Sequence, residues 1–185
     1  MSKEPTSNES NKIMEQVLKR SKGETIDLVV EHELRGVTPV MIDWWWDNID
    51  TTERYKLWHP EDHKSFEWEV SPKEGHVGAI QNIVENIGLP TMLRIRWEDP
   101  SQSPIPIEYS HVLVGSTLNN DDKPMTWLLH EYEKFENGTK LRTTFRLPAK
   151  IPKPLIEAIR KHNLEEISEF ENFLSELYNE NKNSD

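Results

Sequence analysis

Three features of this sequence predict an α+β domain in which a curved antiparallel sheet wraps around a long C-terminal helix. Between residues 25 and 147, apolar and polar residues alternate in several short runs, the period-two pattern of half-buried strands. Turn signals separate the runs, among them Gly88-Leu89-Pro90, Asn119-Asn120-Asp121-Asp122 and Asn137-Gly138. From about Leu155 to Tyr178 the period becomes helical, with Ile156, Ile159, Ile167, Phe170 and Leu174 on one face. Such strands hide their apolar face economically when the helix lies in the concave side of the sheet, the helix-grip arrangement, which encloses a cavity.

Residues 1–11 are rich in Ser, Asn, Glu and Lys and bury too little to offset their ordering entropy, so a disordered tail is expected. Ile13, Met14 and Val17/Leu18 predict a short helix over residues 12–22, stopped near Gly23. Ile26, Leu28, Val30, His32 and Leu34 then share one face of a strand. Thr38 reads as the N-cap of a helix with Pro39 at its first position, ending before Thr51-Thr52. The stretch Tyr55 to His63 lacks periodicity and is expected on a structured loop. Short strands follow, with Phe66, Trp68 and Val70 on one face, then Ile83, Glu85 and Ile87, then Leu93, Ile95 and Trp97. A Pro-rich loop over 99–106 leads to a strand expected over 107–114, and Asn137-Gly138 joins the last two strands as a hairpin. One domain spanning 12–178 is expected, with 179–185 a second disordered tail.

A length of 185 residues suits one domain with a substantial core. With 22 Lys and Arg against 33 Asp and Glu, the formal net charge of -11 repels nucleic acids and anionic membranes. The absence of cysteine excludes disulfides, thiolate-held metals and a thiol nucleophile, so any metal must be held by His and carboxylates. No run of residues resembles a signal peptide or a membrane span, and a soluble cytoplasmic protein is expected. The mean hydropathy of -0.76 is low for a globular domain, but seven tryptophans supply large apolar surfaces.

Four groups of residues carry chemistry. On the last helix, Leu155, His162, Glu166 and Phe173 fall on one stripe, and the i,i+4 spacing of His162 and Glu166 suits ligation of one metal ion. The same spacing also describes an exposed pair at the margin of the apolar face. Tyr55-Lys56-Leu57-Trp58-His59-Pro60-Glu61-Asp62-His63 packs two histidines, a tyrosine and a tryptophan into nine residues, either as ligands or as a capped surface turn. Glu85 shares parity with Ile83 and Ile87, so a buried face there requires a cation, whereas a register shift of one residue leaves it in water. His130 shares parity with Leu128 and Tyr132 as a functional or a satisfied interior histidine; His32 reads as core, and His76 and His111 stand out in neither sense.

Val37-Thr38-Pro39, Met41-Ile42-Asp43-Trp44-Trp45-Trp46 and Tyr55-Lys56-Leu57-Trp58-His59-Pro60-x-x-His63 together resemble the diacetylphloroglucinol hydrolase family, which includes phloretin hydrolase-like members. The likeness continues through Gly78, Glu85-Asn86-Ile87-Gly88, Leu129-His130-Glu131 and Leu141-Arg142-Thr143-Thr144-Phe145 to His162-x-x-x-Glu166. It implies a zinc hydrolase that cleaves the carbon–carbon bond between an acyl group and a phenolic ring, on a helix-grip fold like that of birch-allergen and START domains. Carried over by position, the Zn²⁺ ligands are His63, Glu85, His162 and Glu166. Tyr55 contacts a phenolic oxygen, and His130 hydrogen-bonds or moves a proton in the pocket. Phe66 and Phe145 stand where the family pattern places a substrate-binding Asn and a second pocket Tyr. Both substitutions remove hydrogen-bonding groups, so an altered, small acylphenol or aromatic-ketone substrate is expected. A homodimer is compatible with the resemblance, and a non-catalytic helix-grip protein that binds an apolar or aromatic metabolite is the alternative.

Overall fold

The computed structural model describes residues 7–182, with side chains from Asn11 onward. Helix α1 (Ser7–Ser21) leads into strand β1 (Thr25–Arg35), followed by α2 (Pro39–Asn48) and the short α3 (Thr52–Trp58). Strands β2 (His63–Val70), β3 (Ile80–Asn86), β4 (Pro90–Glu98), β5 (His111–Leu118), β6 (Pro124–Phe135) and β7 (Gly138–Pro148) precede α4 (Lys153–Lys182). All strand pairs are antiparallel, in the order β1-β7-β6-β5-β4-β3-β2. The chain adopts the helix-grip fold, its seven-stranded sheet accompanied by the 30-residue α4.

Alternation decides which side chains face inward. Leu28, Val30, His32 and Leu34 of β1 are buried while their odd-numbered neighbours are exposed. On β3 the buried residues are Gln81, Ile83 and Glu85, so the parity that hides Glu85 is the one the fold uses. Helix α4 turns His162, Asn163, Glu166, Ile167, Phe170 and Leu174 toward the sheet. Its aromatic contacts bind it to α2 and α3: Trp45 lies 5.1 Å from Phe173, and Trp58 stacks on Phe170 at 5.7 Å with an interplanar angle of 5°.

Four boundaries differ from the sequence expectation. The first helix begins at Ser7, because Asn11 is buried and donates to Asn120 Oδ1 at 3.0 Å; residues 1–6 of the expected tail lie outside the described residues. Residues 55–58 of the expected loop belong to helix α3: Thr51 caps it by accepting from Arg54 N–H, and seven residues are too few to display a helical period. Strand β5 starts at His111 rather than 107 because the buried Glu131 carboxylate takes the N–H groups of Glu108 (2.6 Å) and Tyr109 (2.9 Å). Helix α4 continues to Lys182, past the expected end at Tyr178, whose ring packs edge-on against Trp44 at 5.7 Å; residues 183–185 lie outside the described residues.

The last hairpin turns one residue earlier than Asn137-Gly138 suggests. Glu136 takes the left-handed conformation (φ 45°), and Gly138 is the first residue of β7, paired with both Phe135 and Arg35. A Cβ on Gly138 would stand 1.8 Å from the carbonyl oxygen of Leu34. Glycine is therefore required there by the close approach of β1, not by a positive φ. Gly138→Ala is expected to lower the free energy of urea unfolding by more than about 2 kcal/mol; unchanged stability would show that β1 does not approach this closely.

Candidate metal centre

Three elements bring one residue or two each to a common point. Pro60 and the turn after α3 deliver His63 as the first residue of β2, where it pairs directly with Glu85 of β3. One helical turn on α4 then carries His162 and Glu166 to the same place. His63 Nε2 lies 3.6 Å from Glu85 Oε1 and 3.6 Å from Glu166 Oε2. His162 Nε2 lies 3.6 Å from Glu85 Oε2 and 3.8 Å from Glu166 Oε2. All four residues are buried, and His63, Glu85 and His162 each present one donor atom within 4.8 Å of the others.

The hydrogen bonds around these residues determine which atoms are free. His63 Nδ1 lies 3.0 Å from the carbonyl oxygen of Tyr55, which can only accept, so Nδ1 carries the proton and Nε2 presents a lone pair. That nitrogen is buried without a hydrogen-bond partner and faces two carboxylates. His162 Nε2 is equally unpartnered, and Asp62 Oδ2 stands 3.5 Å from His162 Nδ1. The set of two imidazole nitrogens and two carboxylates matches the donors zinc prefers, and separations of 3.6–3.8 Å approach the roughly 3.4 Å edge of a tetrahedron with bonds of about 2.1 Å. The residues fit a zinc ion.

His59 is different. Its Nδ1 accepts the N–H of Asp62 at 3.2 Å, so its proton sits on Nε2, 3.6 Å from both Asp62 Oδ2 and Glu165 Oε2. A protonated nitrogen is no ligand. His59 instead stacks on His162 at 4.8 Å with an interplanar angle of 6°, steadying that ring.

A second layer holds the carboxylates. Tyr55 O–H donates to Glu85 Oε1, and its ring stacks on His63 at 3.9 Å. Burial, reinforced by Glu85, pushes the Tyr55 phenol well above its ordinary pKa and keeps it protonated. Asn163 Nδ2 donates to Glu166 Oε1 at 2.8 Å and to Thr143 Oγ1 at 3.4 Å, while Asn163 Oδ1 pairs with His32 Nε2 at 3.1 Å. Thr143 Oγ1 also lies 2.9 Å from His130 Nδ1. Burial disfavours charge on His162, but Glu85, Glu166 and Asp62 outweigh it and raise its pKa. Burial likewise opposes ionisation of Glu166, yet the charge on the neighbouring His162 holds it below the usual carboxylate range.

A cavity of about 380 Å³ opens from this centre, with Tyr55, Trp58, Glu85, His130, His162 and Glu166 at one end. Phe145 lines it as well. Phe66 does not: it is buried behind Tyr55, with ring centroids 5.5 Å apart, and belongs to the packing that holds Tyr55 in place. His76 and His111 lie apart from the centre, His76 Nε2 at 2.8 Å from the Trp46 carbonyl and His111 Nδ1 at 2.9 Å from Asp43 Oδ2. Asp62, Thr143 and Asn163 escaped the sequence reading, since a single polar residue beside a ligand carries no spacing signal of its own.

Residues 15–154 match the DAPG hydrolase PhiG domain family, DAPG being diacetylphloroglucinol. The chain belongs to that family. The matched segment contains Tyr55, His63, Glu85 and His130, whereas His162 and Glu166 lie beyond its end. Phloretin hydrolase of Eubacterium ramulus is 24% identical over 182 aligned positions, covering 80% of this chain and 66% of that protein, so this member of the DAPG hydrolase family spans just under two thirds of that relative's length. Among solved structures, the KanY protein (TM-score 0.59, 6% identity), Ara h 8.0201 (0.55, 10%) and protein MLL2253 of Mesorhizobium loti (0.50, 13%) are similar, each match covering 82% of this chain and 98% of the other. These likenesses show the fold alone. Among the described residues no helix is long and apolar enough to cross a membrane.

Burial holds the pKa of His130 down at about 4, against an ordinary value of about 6.5. The folded state thus binds fewer protons than the unfolded chain between these values, so stability is full above pH 6.5 and declines as the pH falls through 4. Relative to His130→Gln, the parent is expected to lose up to about 3 kcal/mol in urea unfolding between pH 7 and 4; parallel pH profiles would contradict a neutral buried His130.

Proposed function

We propose that this protein is a zinc-dependent hydrolase that cleaves the bond between an acyl carbon and a phenolic ring carbon. The observation that supports it is the His63 Nε2 lone pair, buried, without a hydrogen-bond partner and facing two carboxylates. Such a constellation costs several kcal/mol unless a cation occupies its centre. Membership of a hydrolase family agrees with it, as does the name of the phloretin hydrolase relative.

In the overall reaction water is split between the fragments: the acyl carbon gains a hydroxyl group and leaves as a carboxylic acid, and the ring carbon gains a proton. His63, Glu85, His162 and Glu166 hold the zinc, which when bound supplies Lewis acidity toward a carbonyl oxygen and acidifies water. With Thr143 donating to its Nδ1, His130, neutral above pH about 4, donates a hydrogen bond from Nε2 to a ring oxygen and favours the keto form from which the bond breaks. Tyr55, kept protonated at the cavity wall, steadies Glu85 and is the second group placed to carry the proton that the ring carbon gains. The indole of Trp58 and the apolar wall keep bulk water away from this exchange.

Purified protein supplied with zinc and a panel of mono- and diacylated phloroglucinols is expected to release the free acid and the deacylated ring. His130→Gln should lower kcat about 10²–10⁴-fold with the zinc retained. Tight binding of these compounds without release of acid, in protein loaded with zinc, would remove the enzyme and leave a binding protein.

A further inference from the structure

The cavity extends well beyond the groups that the proposed chemistry uses, and sheet register gives its depth. His130 and Thr143 form one cross-strand row; Leu128 and Phe145 form the next; Thr126 and Leu147 lie one row further still. Each row is two residues along the strand, about 7 Å, so the lining runs roughly 14 Å from His130. All of these residues except Thr143 face the cavity; Met14 and Asn11 of α1 line it too, Met14 packed against the cluster that contains Leu147 at the far row and Asn11 tied to Asn120. A phenolic ring held at His130 fills only the first row.

The character of the remaining space is apolar. Ile83, Ile95, Leu128 and Phe145 make its middle, and Met14 and Leu147 its end. The few polar side chains among them bond mainly to one another: Gln81 Oε1 accepts from Trp97 Nε1 at 3.1 Å, and the hydroxyls of Thr117 and Thr126 bond each other at 2.7 Å. A sugar or a charged group placed there loses its water and finds too few partners to replace it. A hydrocarbon chain gains about two- to fourfold in affinity for each methylene it buries.

We propose that the ligand of this site joins a phenolic head to an apolar hydrocarbon tail that runs along Ile95, Leu128 and Phe145 and ends against Met14 of α1. The placement of the head rests on the hydrolase reading; the length and polarity of the tail rest on the cavity alone. Helix α1 sets the limit to tail length.

Two arms separate this inference from the hydrolase reading. In the first, 4-alkylphenols with tails of two to ten carbons, which have no acyl bond to break, are titrated against the full chain with and without zinc, and quenching of tryptophan fluorescence reports binding through Trp58 and Trp97. The dissociation constant is expected to fall with each methylene to a plateau, a terminal hydroxyl on the tail to weaken binding tenfold or more, Met14→Trp to bring the plateau at shorter tails, and Met14→Ala to delay it. Affinity independent of tail length, or a plateau unmoved in both well-folded Met14 variants, would overturn the proposal. In the second arm, kcat/KM is compared between phloroglucinols with the tail in the acyl group and those with the same tail on the ring. A rise with length in either series supports the tail and says which fragment bears it. Acetyl compounds hydrolysed as well as all longer ones would overturn the tail and keep the hydrolase, whereas length-dependent alkylphenol binding without any hydrolysis would do the reverse.

Discussion

Glu85 and Glu166 are buried carboxylates that face the lone pair of His63 and the ring of His162 in the interior of the protein, and the surrounding architecture answers the cost of placing them there. Two negative charges removed from water need positive charge close by. The described structure supplies part of it through His162, whose pKa is raised, and a metal ion held among the four side chains would supply the rest. Three of the donors are fixed by a further bond, Tyr55 gripping both His63 and Glu85 and Asn163 gripping Glu166, while Asp62 Oδ2 stands 3.5 Å behind His162. Such outer partners orient ligands before any ion arrives.

Much of this was legible in the chain because two periods carry it. Alternation along β3 put Glu85 on the same face as Ile83, and the i,i+4 spacing put Glu166 one turn from His162. What the periods do not encode is which distant elements meet. That His63 pairs with Glu85 is a property of the β2–β3 register, and the alternative readings of exposed histidines and a solvated Glu85 could be dismissed only once that register was known. The family resemblance supplied the connection that local pattern lacked.

The misread segments have a common origin: side chains overriding local signals. Glu131 holds residues 108 and 109 out of the sheet by capturing their N–H groups, and Leu34 of a distant strand makes Gly138 a strand residue although the dipeptide Asn-Gly reads as a turn. Phe66 shows the same limit at the site. Its alignment with a substrate-binding position placed it in the pocket, but its ring packs against Tyr55 and Trp68 and does not line the cavity, so Phe66 supports the site from behind. Phe145, on a concave strand position opposite Leu128, does reach the cavity and makes its wall apolar.

The proposed activity depends on zinc being held by the four side chains, and metal content tests that most directly. Untagged protein purified without chelator is expected to contain about one zinc per chain by elemental analysis, and His63→Ala, His162→Ala and Glu85→Gln, each shown to be folded, are expected to contain far less. A parent protein that neither carries zinc nor takes it up when it is added, or folded variants that keep a full complement, would contradict the account.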